Sequence, residues 1–130
     1  MATTQTFAFI GSYADAGGPG LYACSFDSAE GTLKLLDQAD GLRNPTFLDI
    51  DAEAGRLYAI MEGQDAEGRK CGAAAAFAFD SAAGKLRKLN EEITLPATTC
   101  HITLDRSRKF VITSSYHGGS ISLSPLAEDG

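Results

Sequence analysis

The chain has 130 residues, 44% hydrophobic and 22% charged, the proportions of an ordinary globular domain that buries roughly two thirds of its unfolded surface. A net charge of −6 excludes sequence-independent nucleic-acid binding, which needs a basic excess to displace counterions from phosphate. No apolar run approaches the roughly 18 residues of a membrane span, so no membrane partner is expected.

The opening MATTQTFAFIG has no basic segment and only a short apolar run, so it is not read as a secretory signal. In chain order, Phe7–Tyr13 and then LYACSFD, ending at Asp27, read as strands: short runs rich in aromatic and branched residues, bounded by Gly, Asp and Ser. A turn with Gly31 leads into a third strand around Leu33 and Leu35. Four more follow at Thr46–Asp51, Arg56–Glu62, about Ala73–Asp80 and about Lys85–Ile93. His101–Asp105, Phe110–Tyr116 and SISLSPL complete ten. Ala73–Ala78 is good helix material taken alone. It ends where the non-helical LYACSFD ends in the matching stretch, and is therefore read as a strand whose small residues allow close packing.

The matching is systematic. Phe26–Leu33, FDSAEGTL, returns 53 residues later as Phe79–Leu86, FDSAAGKL. Phe7–Tyr13 returns as Phe110–Tyr116, with Leu57–Met61 in the slot between, and Phe47–Asp51 returns as His101–Asp105. Asp and Ser side chains can bond nearby backbone N–H groups, and Gly31 and Gly84 can take positive φ, so the repeated stretch is a hairpin. A four-stranded unit of about 50 residues is the mark of a β-propeller blade. The expected fold is all-β: blades of four antiparallel strands, about two and a half of them. Residues 6–42 would hold strands two to four of a first blade, 43–95 a complete second, and 96–130 strands one to three of a third, in one partial domain covering 1–130. Trp is absent, so there is no WD dipeptide. Two outer blade faces would lack a neighbour, to be covered by further blades or by self-association.

Several stretches together resemble the N-terminal part of the seven-bladed propeller lactonases, the family of the bacterial propeller-type 6-phosphogluconolactonase. They are Ile10–Tyr13 with Gly20–Tyr22, Asn44–Leu48, Gly55–Glu62, FDSAAGKL, Cys100–Asp105 and Ser114–Leu126. The resemblance implies that the chain is the first third or so of such a protein, in which a C-terminal strand completes the first blade. It also implies hydrolysis of a sugar lactone in the oxidative pentose phosphate pathway, with no cofactor and no metal. The family's Cys-His pair at the start of an innermost strand matches Cys100-His101, which makes His101 the candidate catalytic base. Imidazole suits the task, because lactone hydrolysis needs a base for water near working pH. The alternative for His101 is a hydrogen-bonded residue at a strand start.

Asn44, Glu62 and Ser115 are the candidate substrate-binding residues, Glu62 and Ser115 holding equivalent slots in successive units. Asn44 could equally cap the turn before an inner strand. The family often shows Asn where this chain has Met61 and Ser115, and usually Gly where it has His117, whose side chain is expected to be exposed. Neighbouring Cys100 and His101 point to opposite faces of a strand and form no dyad; Cys100 is expected to be a buried structural thiol. A triad of Ser114 or Ser115 with His101 and Asp105 fails, for lack of a GxSxG elbow and because four residues of strand span about 13 Å. Cys100, His101 and His117 match no common metal-ligand spacing. Arg43 and Arg106 match none of the family's substrate-holding Arg positions and read as solvated surface charges. Those Arg residues and a Glu belong to blades further along, so the 130-residue chain is expected to be inactive alone. Cys24, Cys71 and Cys100, odd in number and without CxxC spacing, read as reduced thiols in a cytoplasmic protein. The competing function is a non-enzymatic propeller scaffold for binding or interaction.

Overall fold

The computed structural model describes residues 5–130, and among them every regular element is a strand. β1 (Thr6–Gly11), β2 (Leu21–Asp27) and β3 (Thr32–Ala39) form one antiparallel sheet in that order. β4 (Leu48–Asp51), β5 (Arg56–Gln64), β6 (Lys70–Asp80) and β7 (Lys85–Leu95) form a four-stranded meander. β8 (His101–Leu104), β9 (Phe110–Ser115) and β10 (Ser120–Pro125) form a third sheet. The all-β expectation holds. Since no helix is long and apolar enough to cross a membrane, none of the described residues supplies a helical span.

The core lies between sheets. On β5, Leu57, Ala59 and Met61 pack toward the first sheet, while Tyr58 and Ile60 pack toward the third. β6 divides in the same way, Ala73, Ala75 and Phe77 on one side and Ala76 on the other. A strand covered on both faces has no polar alternation to display, which is why Ala73–Phe77 is uninterrupted by polar residues. Phe7 and Phe9 each meet the Phe79 ring edge-on, with centroids 4.9 Å apart, and tie the first sheet to the second. The outer faces of the first and third sheets stay open, leaving Leu35 54% and Leu123 62% exposed.

The repeated hairpins share one set of bonds. Asp27 Oδ1 accepts from the N–H groups of Ala29 and Glu30, and Asp80 Oδ1 from those of Ala82 and Ala83. Gly31 and Gly84 then turn the chain at φ 68° and 67°. Asp105 plays a related part between β8 and β9. One of its oxygens accepts from the N–H groups of Lys109 and Phe110, the other from the N–H and hydroxyl of Ser107.

Those bonds, led by the Ser107 hydroxyl, hold the Asp105 carboxyl down to about 2. The unfolded carboxyl, near about 3.9, therefore takes up its proton first as pH falls. The contribution of Asp105 to stability is whole above about pH 4 and is lost as pH drops through about 2. Urea titrations of wild type and Asp105→Asn should accordingly converge between about pH 5 and pH 2. A gap that stays constant over that range would mean that the carboxylate charge is not what stabilises the turn.

Several strand limits differ from the sequence reading: β1 ends at Gly11, not Tyr13, β5 runs on to Gln64, not Glu62, and β9 ends at Ser115, not Tyr116. β4 starts at Leu48, not Thr46, because Asn44 sits at φ 51° and Thr46 N–H turns back onto the Asn44 carbonyl at 2.8 Å. β6 starts at Lys70, not Ala73, since Gln64 pairs with Lys70 around a turn in which Asp65 accepts from the N–H groups of Glu67 and Arg69. Polar composition hid that extension. β7 runs on to Leu95, which pairs with Gly72.

Candidate functional site

The short inner strands β4 and β8 run side by side, laced by a carboxylate. Asp49 Oδ2 accepts from Leu104 N–H at 2.8 Å and from the Thr103 hydroxyl at 3.3 Å. Lower down, Arg108 bridges Asp51 at 3.2 Å and Glu53 at 2.8 Å. These contacts tie the two strands together toward their C-terminal ends, and the candidate residues gather at the opposite end, where β4 and β8 begin.

Asn44 is held from both sides. Its N–H donates to the Ala14 carbonyl at 2.9 Å, and its Oδ1 accepts from Ala14 N–H at 3.0 Å. Asn is one of the few side chains that tolerate a left-handed backbone, and the two bonds to Ala14 repay that strain. The remaining amide group, Nδ2, donates to Glu62 Oε1 at 3.2 Å. Glu62 is placed by its own N–H, which donates to the Arg43 carbonyl at 2.9 Å. Its second oxygen, Oε2, is buried and makes no hydrogen bond; Lys70 Nζ lies 3.4 Å away on a side chain that is mostly in water. An ion pair that loose adds little, and the buried Oε2 has no hydrogen-bond donor.

A cavity of about 270 Å³ opens beside this pair, walled by Asn44, Thr46, Glu62, Cys100, Tyr13 and Tyr116 among others. The structure therefore joins Asn44 and Glu62 directly and sets Cys100 beside them. His101 follows Cys100 but stands outside the walls; its exposed ring lies on Phe47, centroids 4.4 Å apart at 44°. Ser115 also stands apart. It is 2% exposed, and its Oγ accepts from Gly118 N–H at 3.1 Å to close the β9–β10 turn. Cys100 is half-buried, not buried as expected, and its thiol donates to the Ser114 carbonyl at 3.3 Å. Burial does push the Cys71 thiol upward. Arg43 is half in water and pairs with Asp15 at 3.2 Å, and Arg106 is exposed.

Residues 7–130 match the family model described as "Lactonase, 7-bladed beta-propeller". The chain belongs to the seven-bladed β-propeller lactonase family. Its three sheets are thus blades of a partial propeller. It is 31% identical to the 6-phosphogluconolactonase of Bacillus subtilis, over 98% of this chain and 35% of that protein. It is 32% identical to the 6-phosphogluconolactonase of Formosa agariphila, over 94% of the chain and 34% of the relative. A solved structure from Bacteroides uniformis, proposed to be a 6-phosphogluconolactonase, superposes with a TM-score of 0.82 at 32% identity, covering 97% of this chain and 35% of the other. The chain thus spans about a third of the length of the relatives it matches.

Within this propeller lactonase chain, the sequence reading missed two kinds of residue. Asp49 carried no signal, since a carboxylate on a short strand looks like any solvated charge. Tyr13 and Tyr116 did carry one: each closes a repeated Ser-Tyr, in IGSY and in SSYH. Among the described residues no cluster of three side chains suited to a metal occurs.

Proposed function

We propose that the chain supplies one side of a lactone hydrolase acting on a sugar lactone, as a 6-phosphogluconolactonase does. The observation that carries this reading is the Asn44–Glu62 pair, walling a cavity beside Cys100-His101 in a chain of the lactonase family. His101 is the general base. A water oxygen bonds to the lactone acyl carbon as its proton passes to the imidazole. The tetrahedral oxyanion collapses, the ring C–O bond breaks, and the departing alkoxide takes the proton back from the imidazolium.

Asn44 and Glu62 hold substrate hydroxyls, and Ser115, if its turn opens, adds a third contact. The product is an open sugar acid, which suits the oxidative pentose phosphate pathway of the cytoplasm, and the chemistry uses no cofactor or metal. Oxyanion stabilisation is a large part of such a reaction, and this reading assigns it to cationic residues on further blades. The 130-residue chain alone should therefore be slow.

The test joins residues 1–130 to the remaining two thirds of the Bacillus subtilis 6-phosphogluconolactonase. The chimera should open 6-phosphogluconolactone well above the spontaneous rate, followed by NMR. A folded chimera that does not do so overturns the reading. One observation favours the rival scaffold reading: the Ser115 hydroxyl is engaged in a turn and leaves the rim less polar than the family resemblance implies.

A further inference from the structure

Tyr13 and Tyr116 are 86% and 75% exposed, the most exposed large apolar side chains among the described residues. Both wall the cavity that holds Asn44 and Glu62. The other two tyrosines are differently placed: Tyr58 is buried, and the Tyr22 hydroxyl donates to the Pro19 carbonyl. Neither Tyr13 nor Tyr116 makes a hydroxyl hydrogen bond to another described residue, so neither side chain is committed to the fold. The Tyr116 ring is braced by His117, centroids 4.6 Å apart at 40°. The two tyrosines hold matching positions in the first and third repeat units, Tyr13 two residues past the end of β1 and Tyr116 one past the end of β9.

An aromatic face is electron-rich, and the C–H bonds of a sugar ring are polarised by the neighbouring oxygens. The two surfaces attract when stacked, and a tyrosine loses few rotamers in doing so. The same cavity is walled by Glu62, whose carboxylate can accept from a hydroxyl. At about 270 Å³ it is at the small end for ligand pockets, the size for one ring and not for a polymer.

We infer that Tyr13 and Tyr116 form the aromatic walls of a subsite that selects a cyclic polyol by stacking on the C–H faces of its ring, while Glu62 accepts one of its hydroxyls. This deepens the lactonase reading, and its ligand class rests on that reading. The selection is for the closed ring, so an open-chain acid formed from it leaves more easily than its lactone precursor binds.

The test uses the 130-residue chain and two probes that cannot react: 1,5-anhydroglucitol, a closed ring, and sorbitol, its open-chain counterpart. With four tyrosines and no tryptophan, the intrinsic emission of the chain reports tyrosine alone. Anhydroglucitol should change it saturably, and sorbitol should bind about tenfold more weakly or not at all. Saturation-transfer NMR should show that Tyr13→Ala and Tyr116→Ala each weaken the ring by about tenfold, while Tyr13→Phe and Tyr116→Phe retain it. Unchanged urea midpoints would confirm that the variants fold, as expected for side chains this exposed.

Equal affinity for ring and open chain, alanine variants that bind like wild type, or no saturable binding overturns the inference. The chimera separates this from the lactonase reading. Ring opening with KM unchanged in Tyr116→Ala would sink the aromatic subsite alone. Ring binding without hydrolysis by the chimera would sink the lactonase reading alone.

Discussion

In a chimera that completes the propeller, His101→Gln should lower kcat for lactone opening by about 10²–10⁴-fold and leave KM within about threefold. Glutamine fills similar space and can still hydrogen-bond water, but it cannot accept a proton and return it. His101 is the candidate because it follows Cys100, which walls the cavity with Asn44 and Glu62; its own ring is exposed and rests on Phe47. The KM clause separates a base from a binding residue, since a general base acts in the transition state and hardly at all in substrate binding. Retention of full kcat by a folded His101→Gln chimera would falsify the assignment. A rise in KM at constant kcat would instead make His101 a contact to the substrate.

Phe77→Ala should cost about 3–5 kcal/mol in urea unfolding, the range for removing a buried aromatic ring. Phe77 is the largest of the fully buried side chains and packs with Leu21, Leu42 and Leu57 where the first and second sheets meet. Its neighbours are on strands of two different sheets, so the cavity can close only if one blade moves against another. Because a domain of this size is stable by roughly 5–15 kcal/mol, the substitution should remove a large share of the total. Leu123→Ala is the matched control. It lies on the open face of the third sheet, 62% exposed, and should cost less than about 1 kcal/mol. If Leu123→Ala proves as costly as Phe77→Ala, that face is covered in solution, and the mass of the assembly should rise with concentration.

The all-β class, the repeat of about 50 residues and the hairpin turns were legible in the sequence. They depend on local chemistry, which travels with the letters: short aromatic and branched runs with polar boundaries, an Asp that bonds the N–H groups ahead of it, and a Gly at positive φ. FDSAEG and FDSAAG even make the same hydrogen bonds. Asn44 and Glu62 were legible as candidates too, from repeat position and family resemblance. Their 3.2 Å bond was not, because it crosses from a loop to the far end of β5. Ser115 shows the limit from the other side: its slot matches that of Glu62, yet its hydroxyl is taken by the backbone three residues on, so equal position did not give equal availability.

Asp49 and the two tyrosines mark what only the tertiary structure decided. A carboxylate on a four-residue strand becomes a lace between blades only when β8 is laid beside β4, and two tyrosines about a hundred residues apart become walls of one cavity only when three sheets stack. Local rules fix each strand and turn because the interacting atoms are near in the chain. Which side chains share a cavity depends on sheet twist and packing distance, set by all the strands together.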